Sequence, residues 1–118
     1  MPAYKEGDHR AGMHLTLDYY ALSSRGAVPA WSNEMAEMTW TYWLSFDGLS
    51  AASRVSTPSL FVHADGCAFP EHVKRIHAAV TGPTALAWGE GTQTDYYGQA
   101  PAVEFAVTAV RDWFERTL

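Results

Sequence analysis

The sequence predicts an α/β chain in which helices flank a short parallel sheet, and three observations carry that expectation. Two short apolar runs, "PSLFVHA" and "TALAW", have the look of strands buried on both faces. Each is followed by a longer stretch whose apolar residues recur at helical spacing. The resulting order of strand, helix, strand, helix implies right-handed crossovers and therefore parallel strands. At 118 residues the chain has room for one domain, with a helical segment over 1–56 leading into the alternating part over 57–118.

In chain order, "DHRAGMHLTLDYYAL" puts Met13, Leu17, Tyr20 and Ala21 near helical spacing, with Asp8 as an N-cap. "SSRGAVPAW" reads as a loop through Gly26 and Pro29. "SNEMAEMTWTYWLSF" reads as a helix opened by Ser32 or Asn33. Its Met35, Met38, Trp40, Tyr42, Trp43 and Phe46 cover more than one face, so burial on two sides is expected. A short helix over about 47–53 follows Asp47. After the first strand, "PEHVKRIHAAV" places Pro70 at a first helical position and Val73, Ile76, His77 and Val80 on one face. Gly82-Pro83 ends that helix, and "TALAW" is the second strand. In the closing helix, Val103, Ala106, Val107, Val110, Trp113 and Phe114 form the apolar stripe.

Two strands are few for a parallel sheet, and neither outer edge carries visible charge or proline protection. Either another chain supplies strands or the rest of a larger fold is missing, so a homo-oligomer or pairing with an absent amino-terminal half is expected. The net charge of −5, with no run of Lys or Arg, argues against nucleic acid or anionic membrane as partners. A single cysteine, Cys67, excludes an intrachain disulfide and suits a reducing cytoplasm. The first residues lack the layout of a signal peptide, and no apolar run approaches the ~20 residues of a membrane span. A cytoplasmic location is the expectation.

From about residue 19 to the end, the chain resembles the carboxyl-terminal half of an α/β-hydrolase of the dienelactone-hydrolase-like bacterial branch. "TPSLFVHADGCAFPEHVKRIHAAVTGP" resembles the late strand, acid loop and helix of that family. "LAWGEGTQTDYYGQAPAVEFAVTAVRDWFERTL" resembles its last strand, histidine loop and terminal helix, and "YYALSSRGAVPAWSNEMAEMTWTYWLSFD" the segment before them. The resemblance implies a partial α/β-hydrolase fold, ester or acyl bonds as substrate class, and a small-molecule acyl or ester ligand. It implies no cofactor.

Catalysis in that family uses a nucleophile, an acid and a histidine in chain order, the nucleophile in G-x-S-x-G on a sharp strand-to-helix turn. No such motif is present. Ser50 in "GLSAA" follows an aromatic helix instead of an apolar strand, which is the wrong setting for a nucleophile. Asp65 stands at the acid position, at the carboxyl end of a strand where α/β sheets gather their chemistry; the alternative is a carboxylate that accepts N–H bonds in a turn before Pro70. "GTQTDYYG" puts Gln93 where the histidine belongs. An amide does not titrate near neutrality and cannot serve as a general base. Gly91 for the turn, and Asp95 with Tyr96 and Tyr97 as anchors, complete that loop.

Cys67 lies in the acid loop and reads as a small buried side chain, and His63 as a histidine with a core hydrogen-bonding role. His72 and His77, like His9 and His14, are five residues apart and lack the i, i+4 spacing of a helical zinc pair, so no metal is expected. Trp40 and Trp43 read first as core; under the resemblance they belong to a region that roofs the substrate pocket. Two classes of function stay open: an enzyme part with incomplete machinery, and a noncatalytic small-molecule-binding or self-associating module.

Overall fold

The computed structural model describes residues 1–118 and divides into two compact units, Met1–Phe46 and Asp47–Leu118. The division falls at 46/47, ahead of the 56/57 boundary between segments expected from sequence. Val55 explains the difference. Its carbonyl accepts the Thr81 and Gly82 N–H groups, each at 3.1 Å, and so ties residues 47–56 to the second unit.

The first unit contains little regular structure. Only two helices form, α1 (Asp18–Ala21) and α2 (Thr39–Ser45), along with single bridges pairing Pro2 with Glu34 and Tyr4 with Met13. Over residues 8–22, most of the expected helix is replaced by turns. Asp8 is one reason: its carboxylate accepts from the Arg10 main-chain N–H at 3.0 Å and its carbonyl from Ala11 N–H at 2.9 Å. An aspartate that bonds the main chain two residues on makes a turn instead of capping a helix.

Asn33 does not cap a helix either. It takes a left-handed conformation at φ 51°, and its side chain pairs with both main-chain groups of Tyr4. Tyr4 N–H donates to Oδ1 at 2.7 Å, and Nδ2 donates to the Tyr4 carbonyl at 2.8 Å. Buried Tyr4 meets the ring of Tyr20, which also meets those of Tyr19 and Trp31, with centroids 5.3–5.6 Å apart. The face of Tyr19 lies where a Cβ on Gly26 would project, so that position admits no side chain.

Helix α2 corrects the expectation of burial on two sides. Trp43 is 57 % exposed, and Tyr42, Leu44 and Phe46 are more exposed still. Trp40 is half-buried, packed edge-to-face on Trp43 with centroids 5.4 Å apart. A helix of two turns presents more apolar arc than the short loops of this unit cover.

The second unit follows the expected order. Helix α3 (Gly48–Ala51) is capped by the Asp47 carboxylate, which accepts Ser50 N–H at 3.0 Å, and a 3-10 turn over Ala52–Arg54 extends it. Then come β1 (Ser59–Gly66), α4 (Pro70–Ala79), β2 (Thr84–Thr92), a 3-10 turn at Asp95–Tyr97 and α5 (Ala100–Thr117). β1 and β2 pair in parallel from Ser59↔Thr84 to Gly66↔Thr92, with an irregularity after Ala64. β2 is longer than "TALAW": Gly89 to Thr92 continue as strand instead of loop, with Gly89 paired to Ala64 and Thr92 to Gly66 across the irregularity.

Strand alternation divides the sheet into two unlike faces. Phe61, His63, Leu86 and Trp88 fall on one, against α4: the Phe61 and His77 rings meet edge-on at 5.8 Å, and Lys74 lies 4.7 Å from the Trp88 ring centre. Leu60, Val62, Ala64, Ala85, Ala87 and Gly89 fall on the other, where Phe105 of α5 comes within 2.7 Å of a Cβ built on Gly89. The half-buried row on α4 is the expected one of Val73, Ile76, His77 and Val80. On α5 the expected stripe splits: Trp113 is buried and Val103 and Ala106 half-buried, whereas Val107 and Phe114 are 60 % and 52 % exposed, and Ala102 and Ala109, outside that stripe, complete the covered side.

Candidate functional site

Parallel pairing brings the carboxyl ends of β1 and β2 side by side, and the loops after them meet there. Gly66 and Gly91 make this approach possible. A Cβ on Gly66 would overlap the Gly91 carbonyl, and Gly91 itself sits at φ +96°, a conformation that only glycine adopts freely. Gln93 N–H then donates to the Gly66 carbonyl at 3.2 Å, which carries the pairing one residue beyond the strands.

Gln93, at the position where the family resemblance expects a histidine, spans the gap with its side chain. Its Oε1 accepts the Ala68 main-chain N–H of the acid loop at 3.2 Å, and its Nε2 donates to the Tyr97 hydroxyl at 3.3 Å. One carboxamide therefore uses its acceptor on one loop and its donor on the other. A neutral imidazole at the same place offers one donor and one acceptor as well, but it also takes up a proton, which the amide does not.

The remainder of this loop is organised as the glycine, aspartate and tyrosines imply. Asp95 Oδ2 accepts both the Thr92 N–H and the Thr92 hydroxyl at 2.8 Å, closing a turn. Tyr96 donates its hydroxyl to the Glu90 carbonyl at 3.0 Å. Burial pushes the Tyr96 phenol above its usual range, with the neighbouring Cys67, Asp95 and Glu90 adding to the effect. Thr94 is buried, its hydroxyl 3.4 Å from that of Thr92.

Asp65, the candidate acid read from the sequence, forms an ion pair with Lys74 at 3.6 Å, and its side chain is 78 % exposed. Lys74 also bonds Glu71 at 2.8 Å, and that bond first, with Asp65 adding to it, raises the ammonium above its ordinary value. A cation held by two carboxylates over the Trp88 ring is a solvated surface network, in which each pair contributes little. Lys74 escaped notice as a site residue in the sequence; its spacing from Glu71 on a helix was the available signal.

His63 has both ring nitrogens against main-chain carbonyls, Nδ1 3.0 Å from Ala64 O and Nε2 3.1 Å from Ala68 O, and its ring lies 5.3 Å from that of Trp88. It braces the acid loop, in line with the hydrogen-bonding role read from sequence. Cys67 is half-buried, and burial pushes its thiol up, with Asp95 contributing in the same direction. A thiol kept protonated is a poor nucleophile. Ser50 has its hydroxyl turned to the Asp47 carbonyl at 3.3 Å.

Among the residues singled out from sequence, Asp65, Gln93, Cys67 and His63 thus lie on the two adjoining loops and the ends of their strands. Trp40 and Trp43 belong to the first unit. No cluster of three or more His, Cys, Asp or Glu side chains is disposed to hold a metal ion, and no helix is long and apolar enough to cross a membrane. No family model, curated protein or solved structure matches the chain.

Proposed function

We propose that this chain is related to the carboxyl-terminal half of an α/β-hydrolase of the dienelactone-hydrolase-like branch. In this reading ester or acyl bonds are the ancestral substrate class, and the isolated chain performs no triad hydrolysis and serves as a noncatalytic module. Support comes from the β1–α4–β2–α5 order with parallel pairing, and from the adjacency of the loops that hold Asp65 and Gln93.

The observation that carries the reading is the bonding of Gln93. Its carboxamide takes the hydrogen bonds of a loop brace, and an amide at that position does not take up a proton near neutrality. Triad hydrolysis requires a nucleophile, a base within hydrogen-bond reach, and donors for the developing oxyanion. Asp65 without a histidine orients nothing.

Purified chain incubated with p-nitrophenyl esters and with a fluorophosphonate probe tests this directly. Neither release above the buffer rate nor covalent labelling is expected. Turnover that disappears on probe treatment would overturn the proposal.

A further inference from the structure

We infer that His63 is a pH-sensitive latch: with both ring nitrogens protonated it fastens the acid loop at Ala68, and loss of one proton releases that hold. The inference rests on the bonding around His63 alone and stands whether or not the hydrolase ancestry does.

Two carbonyl oxygens face the ring: Nδ1 is 3.0 Å from Ala64 O and Nε2 is 3.1 Å from Ala68 O. A carbonyl has no proton to give, so each contact is a hydrogen bond only if its nitrogen carries one. A neutral imidazole carries one such proton and an imidazolium two. In the neutral ring, the nitrogen without a proton sets its lone pair against a carbonyl oxygen at hydrogen-bond distance. The two oxygens differ in what else they hold. Ala64 O also accepts Cys67 N–H at 3.1 Å, in the turn that opens the acid loop. Ala68 O takes its donor from His63, while the N–H of the same residue goes to Gln93 Oε1 at 3.2 Å. Ala68 is thus held from two sides, by β1 through its carbonyl and by the Gln93 loop through its amide. The doubly protonated ring completes that clamp without opposing Ala64 O.

The groups around the ring favour the charged form. On β2, the Trp88 ring lies 5.3 Å from that of His63 and offers a π face to a cation. Glu90 follows Trp88 on the same row of that strand. On the α4 side, Lys74 is a cation 4.7 Å from the Trp88 ring centre, shared between Asp65 at 3.6 Å and Glu71 at 2.8 Å. Carboxylates therefore outnumber the ammonium here. His77 of α4 is engaged with Phe61, His72 is stacked on Phe69, and Asp95 is taken up by Thr92. Burial keeps the Cys67 thiol protonated and uncharged. Proton uptake by His63 and fastening of the loop are linked, each favouring the other, and histidine ordinarily changes charge between about pH 5 and 8. Acidification fastens Ala68 at both ends; a rise in pH leaves it to Gln93 alone. The latch thereby sets how firmly the two loops of the candidate site are joined.

Nuclear magnetic resonance of the whole chain between about pH 5 and 8 tests the latch. At the acid end both ring N–H protons of His63 should exchange slowly with water. The Ala68 carbonyl carbon should shift in step with the ring nitrogens as the pH rises. Protection of the Ala68 amide, taken relative to amides in the middle of β1, should fall about tenfold over the same range. An Ala68 carbonyl that ignores the state of the ring, or a protection that does not change, would overturn the inference. His63→Gln keeps one donor and does not titrate, so both changes should disappear. His72→Gln and His77→Gln should retain them. A pH dependence that survives the first substitution, or vanishes with either of the others, would assign the proton to another imidazole and overturn the inference. The ring and carbonyl signals are read in the unsubstituted chain, so they decide the question even where a variant fails to fold.

Discussion

Gly66 and Gly91 meet main chain to main chain where the two loops adjoin, with no room for even a methyl group on Gly66. Gly66→Ala therefore has to separate the ends of β1 and β2 or bend one of them. A loss of about 1–3 kcal/mol is expected, the usual range for overpacking. Thermal denaturation measures it, and a variant as stable as the parent would show that the two loops do not approach this closely.

Gln93→Ala tests the brace. Truncation frees the Ala68 N–H and the Tyr97 hydroxyl to water, so the global cost should be modest, about 0.5–1.5 kcal/mol. The local effect is more telling. Amide exchange at Ala68 should accelerate well beyond that of amides in the middle of β1, and Gln93→Glu, which keeps the acceptor, should leave Ala68 protected.

Asn33→Ala removes both bonds to the Tyr4 main chain and leaves a residue with a Cβ at φ 51°. Loss of partners for buried main-chain groups costs about 1–3 kcal/mol, and the left-handed conformation adds about 1 more. This loss should be confined to the first unit, read as a lowered near-ultraviolet aromatic signal from the cluster around Tyr4. Asn33→Gly, which relieves the backbone but not the bonds, should fall between.

Asp8 predicts an acid sensitivity of the same unit. Bonds from the Arg10 guanidinium and main chain, with Lys5 at 3.3 Å, hold its carboxyl well below the ordinary value of 3.8. A folded-state pKa below the unfolded one means that the contribution to stability is complete above pH 3.8 and declines as the pH falls below it. Carboxyl-carbon NMR should find Asp8 still ionised where other aspartates have protonated. Asp8→Asn should flatten the acid limb of the stability curve; an unchanged limb would contradict the assignment.

The two units differ in how much of them the sequence disclosed, for a physical reason. β1, α4, β2 and α5 each carry an apolar pattern of uniform period, although α5 buries only part of its own, and Pro70, Gly82 and Pro83 mark their limits, so their order was readable. In the first unit, the decisive contacts are polar and long-range. Nothing in the letters around Asn33 shows that it will clamp Tyr4, 29 residues away, instead of starting a helix. Nor could the exposure of Trp43 be read from α2, because burial depends on what surrounds a helix as well as on its own apolar face. At the candidate site the position of Gln93 was legible, but its partners were not: Ala68 contributes only a main-chain N–H, and no residue identity records that.

The unlike faces of the sheet bear on how the chain avoids misfolded pairings. A slip of one residue between β1 and β2 would turn every side chain to the opposite face. Trp88 would then point toward α5, into space that at Gly89 has no allowance for even a single carbon beside Phe105. Two strands with small alanines at three positions would otherwise tolerate several alignments. The placement of one indole beside one glycine makes the shifted alternatives sterically incompatible with the terminal helix, so the correct registry is enforced by exclusion as much as by attraction.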